Sequence, residues 1–163
     1  MQSCPRPAGG DWGRAEIALL GASCDRIRDF ARLITQFFAG RRIGYADADH
    51  GAAGEPPATA LTYTDKISYH RLDLIPPMSP YQRRLLFNDC DLVLVNGNHF
   101  SARHQVLFLD GIKSLEAKLE KLTDVRLVVL AAADVVIPDY LQPLIAAAPV
   151  MQLQHEEALR RFF

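Results

Sequence analysis

Apolar-rich runs of four to six residues recur along the chain, each followed by a small polar cluster. Ala15–Leu20, Arg42–Ala46, Asp91–Val95, Gln105–Leu109 and Val125–Leu130 are built mainly from aliphatic and β-branched residues. They lack the regular alternation of a strand with one wet face, so they predict strands buried on both faces, as in a parallel sheet. Pro149–Leu153 predicts a last short strand. Helical spacing fills the intervals. Ile27, Phe30, Ala31, Ile34 and Phe38 share one face of a helix from about Asp25 to Phe38, with Arg26, Arg28, Asp29 and Arg32 on other faces. Ser79 caps a short helix over Tyr81–Phe87. Leu115, Leu119 and Leu122 give another helical spacing, with Glu116 and Glu120 beside Lys113, Lys118 and Lys121 on a solvated side. Pro138 suits the first turn of a helix over Asp139–Ala146. Residues 60–74 alternate instead, which predicts one or two strands with a wet face in a hairpin or edge that His70 and Arg71 decorate. Strands alternating with helices predict an α/β fold, a mostly parallel sheet with helices on both faces in three layers.

The domain boundaries follow from composition. Residues 1–13 hold two prolines and three glycines and predict a flexible arm, with Trp12 as its anchor on the core. Residues 14–154 form the α/β domain. Residues 155–163 end in Phe162 and Phe163 without a recognisable closing element, which reads as a partner-facing tail or a truncated linker. At 163 residues, 49% hydrophobic and 23% charged, the chain fits one globular domain. A net charge of −1 offers no basic footprint for nucleic acid. Three cysteines without a C-x-x-C pair suggest neither a zinc site nor a disulfide framework, and the absence of an apolar leader or membrane-length run fits a cytoplasmic protein.

The candidate chemistry lies where the apolar runs end, because open α/β sheets bind ligands beyond the carboxyl ends of their strands. Asp91–Val95 runs into Asn96-Gly97-Asn98-His99-Phe100. Ala15–Leu20 runs into Gly21-Ala22-Ser23-Cys24-Asp25 and then a helix, the framework of a phosphate-binding loop. Counting from Gly21 along G-x-x-x-x-G-K-[ST], the second glycine's place holds Arg26, the lysine's holds Ile27 and the Ser/Thr's holds Arg28. The helix N-terminus can still attract an anion, or Ser23 and Asp25 simply cap it. The second run delivers Asp47-Ala48-Asp49-His50, in which Asp47 and Asp49 are candidate ligands for Mg²⁺ and His50 and His99 are weak candidates for moving a proton. The alternative is that this cluster caps a turn ahead of the Gly/Pro/Ala loop to Thr59.

Taken together, the Gly21 loop and its helix, Gly44–His50, Asp91–Phe100, Arg103 and Gln105–Leu109 resemble the adapter family of molybdopterin-guanine dinucleotide biosynthesis (MobB-like). The resemblance covers about residues 15–135. It implies a P-loop NTPase-like domain of the dimeric MinD-like kind, binding GTP with Mg²⁺ and having molybdopterin as a possible ligand. It further implies a homodimer that works with a molybdenum cofactor guanylyltransferase, in trans or as a fused domain. Carried onto this chain, the nucleotide or anion site comprises Gly21, Ser23, Arg26, Arg28, Asn96, Asn98 and His99. Two departures set the expected activity. The loop's glycine, lysine and threonine are Arg26, Ile27 and Arg28, a degenerate Walker A motif, and the later turn's glutamate is Asn96. Both losses oppose hydrolysis, since the lysine neutralises the transferring phosphoryl group and the carboxylate organises metal or water. A non-hydrolytic binding adapter is therefore expected. The alternatives are a divergent Mg²⁺-dependent nucleotide hydrolase and a ligand-free dimerisation module.

Overall fold

A computed structural model of the protein describes residues 11–49 and 59–163. Expectations for residues 1–10, for His50 and for the loop through residue 58 lie outside the described residues. The chain order is β1 (Glu16–Leu20), α1 (Cys24–Phe37), β2 (Ile43–Ala46), β3 (Leu61–Lys66), β4 (Tyr69–Leu74), α2 (Pro80–Leu86), β5 (Leu92–Asn96), β6 (His104–Leu109), β7 (Val125–Leu130), α3 (Gln142–Ile145), β8 (Val150–Gln152) and α4 (Glu156–Phe162). Six strands form one sheet in the order β2-β5-β1-β6-β7-β8, and every neighbouring pair is parallel. β3 and β4 form a separate antiparallel hairpin.

The continuous apolar runs are explained by what covers the sheet. Leu19, Leu94, Val106, Phe108, Leu127 and Val129 face one side, against Ile27, Phe30, Ala31 and Ile34 of α1 and Leu159 of α4. Ala18, Leu20, Leu107, Leu109 and Val128 face the other, under Leu115, Leu122, Leu141 and Ile145. Alternate residues of each strand thus enter opposite layers, and the buried polar side chains Glu16, Asn96 and Gln105 stand at or next to the strand ends. Burial of Ile27, Phe30 and Ile34 stabilises the docking of α1 by about 1.5–3 kcal/mol each.

Trp12 does anchor the entering chain. It is buried against Phe87 and Phe100, Arg83 lies over its ring, and its indole N–H donates to the Ser101 carbonyl at 3.0 Å. The short second helix begins as expected, with Ser79 and Gln82 in a reciprocal capping box behind Pro80.

Three expectations need correction. The leucine spacing at 115–122 forms a 3₁₀ helix, Glu116–Lys121, rather than an α-helix. The stretch after Pro138 is a 3₁₀ turn, Asp139–Leu141, that passes into the single turn of α3. The stretch from His155 is no open tail: it forms α4, with Leu159 fully buried and Phe163 edge-on to Phe30. Phe162 and Phe163 therefore pack on the core instead of offering an interface.

Candidate functional site

Strand β1 lies between β5 and β6, and the chain leaves these strands at the same edge of the sheet. Three turns meet there. Gly21 ends β1 with φ of +108°, and a Cβ at that position would sit 2.7 Å from the Phe108 carbonyl oxygen. Glycine is thus required twice over, by conformation and by space. Gly97 follows β5, donates its N–H to the Leu19 carbonyl at 2.9 Å, and would place a Cβ 2.3 Å from Leu20 Cγ. These close approaches hold the β1 turn against β6 and the β5 turn against β1.

Between them lies a polar network. Asn96 is fully buried; its amide N–H donates to Asp47 Oδ1 at 2.8 Å, and its oxygen accepts the Asn98 backbone N–H at 3.0 Å. That backbone donor fixes which end of the Asn96 amide is oxygen. Asn98 in turn donates to the Ala22 carbonyl at 3.0 Å. Asp47 also accepts the Tyr45 hydroxyl at 2.8 Å and the Ala48 N–H at 2.8 Å, with Arg28 at 3.6 Å. Burial, then the bond to Asp47, raises the Tyr45 phenol above its ordinary range, so it stays a donor. His99 Nε2 stands 3.1 Å from Cys24 Sγ and 4.0 Å from Asp47 Oδ1.

The two arginines of the first helical turns each meet a carboxylate. Only three residues, Gly21–Ser23, separate β1 from α1, so Arg26, Ile27 and Arg28 belong to the helix. Ser23 occupies the N-cap position without a side-chain cap bond, and Asp25 pairs with Arg28 at 3.2 Å. Ile27 is fully buried in the core. Arg26 lies over the Phe108 ring and 3.7 Å from Asp110, while Arg28 lies against Asp47. They diverge to either side of the turn, each toward a carboxylate.

The fit to a divalent cation is poor. Both oxygens of Asp47 already accept hydrogen bonds, Asp49 is exposed, and no three His, Cys, Asp or Glu side chains among the described residues group as metal ligands do. Thus Gly21, Asp47, Asn96, Asn98 and His99 are brought together, whereas Arg26 is turned aside and His50 lies outside the described residues.

Four participants escaped the sequence reading: Cys24, Tyr45, Lys113 and Lys118. Lys113 Nζ donates to Asn98 Oδ1 at 2.8 Å and to the Ala22 carbonyl at 3.2 Å, and Lys118 Nζ reaches the same Asn98 oxygen at 3.4 Å. Burial, then the charges of Lys113 and Lys121, lowers the titration of Lys118 from its ordinary range. The placement of Lys113 was readable in principle, because it follows the exit of β6 by four residues and that exit shares an edge with those of β1 and β5.

No family model matches the sequence, and no curated protein matches it significantly. Solved structures share its fold. The crystal structure of Bacillus subtilis MobB superposes with a TM-score of 0.59 at 16% identity, over 89% of this chain and 93% of that one. A MobB protein homolog from Bacillus stearothermophilus gives 0.54 at 19% identity, over 90% and 93%. The fold is therefore the one these two MobB structures have, an α/β fold around a parallel six-stranded sheet.

Proposed function

We propose that this domain is a non-hydrolytic nucleotide- or cofactor-binding adapter in molybdenum cofactor (guanine dinucleotide) biosynthesis, working with a guanylyltransferase in trans or as a fused domain. The observation that carries the reading is the MobB fold extending over 89% of the chain. The ligand edge is the junction of the β1, β2, β5 and β6 exits, with GTP or the phosphate-bearing molybdopterin as ligand. Lack of turnover is supported by Ile27, which faces the core where the motif would carry the lysine that meets the transferring phosphoryl group. Asn96 in place of a carboxylate and the occupied oxygens of Asp47 point the same way, since both remove the usual means of organising Mg²⁺ or water.

Calorimetric titration of the full chain with GTP, GDP and molybdopterin, with and without Mg²⁺, tests this reading alongside co-purification with a guanylyltransferase. Binding with no phosphate release is expected. Absence of binding to all of these would overturn it, and phosphate release that disappears in Asp49→Ala would favour the hydrolase.

A second reading, a dimerisation module, is favoured by the β3–β4 hairpin. Leu61, Tyr63, Ile67, Tyr69 and Leu72 are all exposed on it, more apolar surface than a two-stranded ribbon ordinarily leaves in water. The two readings are compatible, since an adapter can act as a homodimer through this hairpin. Sedimentation of the wild type against Tyr63→Lys/Leu72→Lys tests the hairpin interface: dimers lost in the variant support it, and a strict monomer argues against it.

A further inference from the structure

We propose that Lys113 and Lys118 are the cationic half of an oxyanion site at this edge, receiving a phosphoryl group in place of the lysine that the β1–α1 turn lacks. The proposal rests on the reading of this edge as the ligand edge and names the groups that would hold the ligand there.

Charge is the first argument. Both ammonium groups lie within 3.4 Å of one neutral oxygen, Asn98 Oδ1, so two like charges are crowded together. Among the described residues the nearby pairs are Arg26–Asp110, Arg28–Asp47, Arg28–Asp25 and His99–Asp47, and neither lysine takes part in one. The two arginines are thus partly neutralised, and the lysines carry the uncompensated positive charge.

Valence is the second. An ammonium has three N–H donors. Lys113 uses two, on Asn98 and Ala22, and Lys118 uses one. Three donors on two cations remain, which suits the several oxygens of a phosphomonoester or diphosphate.

A purely structural role accounts for only one of the two. Lys113 alone ties Asn98 to the β1 turn, and Lys118 adds repulsion while reaching no further acceptor among the described residues. The direction of the Lys118 titration agrees, because burial and the neighbouring lysines disfavour its charge and a bound anion would restore it. Asn98 then acts as the positioning residue that holds both side chains toward the edge.

Isothermal titration of the full chain at low salt with inorganic pyrophosphate, GTP and guanosine reads this directly. Wild type should bind pyrophosphate and GTP but not guanosine, and Lys113→Gln/Lys118→Gln should weaken both by at least about tenfold. Lys121→Gln, an exposed lysine on the same 3₁₀ turn, should leave binding unchanged. Should the double variant fold poorly, Lys118→Gln alone is informative, since it deletes only the 3.4 Å contact and should still weaken pyrophosphate. Lys113→Arg/Lys118→Arg should retain most of the affinity.

Pyrophosphate binding equal in wild type and the glutamine variants overturns the proposal, as does guanosine binding as tightly as GTP. Lysine-dependent pyrophosphate binding without affinity for GTP, molybdopterin or guanylyltransferase would overturn the adapter reading alone. GTP binding undiminished in the double variant would overturn only the assignment of the lysines.

Discussion

The two edges of the central sheet both bury polar side chains, and they use them differently. At the amino edge, Glu16 is almost fully buried; Oε2 accepts the backbone N–H groups of Trp12 at 2.8 Å and Gly13 at 3.3 Å, and Oε1 accepts that of Arg103 at 2.8 Å. Gln105 bridges a register irregularity beside β7 by accepting from Thr123 and Asp124 and donating to the Lys121 carbonyl. These side chains satisfy backbone groups that turns would otherwise strand. At the carboxyl edge, Asn96 and Asn98 mostly engage other side chains, and the network ends in two ammoniums with donors to spare. A cleft of about 600 Å³, lined by His104, Asp124 and Arg126, lies at the amino edge. There the ionisable groups answer one another, with His104 2.6 Å and Arg126 2.8 Å from Asp124. Buried polarity by itself therefore does not mark a site; unused valence does.

That contrast can be broken by substitution, and the largest effect is expected at the amino edge. Glu16→Ala leaves three backbone donors without their acceptor and should cost about 3–5 kcal/mol in chemical denaturation. A cost below about 1 kcal/mol would mean that water replaces the carboxylate and that the amino edge is not built as described. Next comes Asn96→Asp, which restores a carboxylate 2.8 Å from Asp47. Two adjoining carboxylates raise the pKa of one of them above its unfolded value. The variant should therefore be about 1–2 kcal/mol less stable than wild type at neutral pH, with the deficit shrinking as the pH falls; a deficit that grows on acidification would refute the like-charge account.

Smaller still is the stability change in Lys113→Gln/Lys118→Gln, expected within about 0.5 kcal/mol in thermal melts although pyrophosphate binding is lost. The smallest effect belongs to Asp124. The hydrogen bond from His104 is the main cause of a carboxyl held below its ordinary range, Arg126 assists, and desolvation opposes. Its contribution is present above the unfolded carboxylate range and lost as pH falls through the depressed folded value. At 36% side-chain exposure it is screened, so wild type and Asp124→Asn should differ by about 0.5 kcal/mol or less near neutrality and converge in acid.

Much of the fold was legible because the parallel strands are apolar on both faces and stand out as runs, and the helix begun at Cys24 shows its inward stripe at Ile27, Phe30, Ala31 and Ile34. The hairpin was legible because its wet face alternates. Legibility failed where local spacing and tertiary packing disagree. Leu115, Leu119 and Leu122 suit an α-helix, yet the segment winds as 3₁₀, and Lys118 on its supposed solvated side turns toward Asn98. Helix α4 was missed because its seven residues bury one leucine fully, and a single anchor sets no period. Within the site, Asn96, Asn98 and His99 were visible as a polar turn after a buried strand. Lys113 was readable only through the shared edge of the β6 exit, and Lys118 was not, since it reaches the edge from a 3₁₀ segment whose path only the closed sheet reveals. The arginines were legible as helix residues, since the helix from about Asp25 already carried them; what the sequence did not show is their partners, Asp110 for Arg26 and Asp47 for Arg28.

Trp12 gives the molecule a built-in optical probe. It is the only tryptophan in the chain, and its ring meets Phe100 at 5.0 Å, which meets His99 at 6.3 Å, which touches Cys24. A line of rings therefore connects the sole strong fluorophore with the polar turn that follows β5. Emission excited at the red edge of protein absorbance comes from that single indole, so its intensity and wavelength report the seating of the chain around Trp12 and any shift of the turn transmitted through Phe100, without a label.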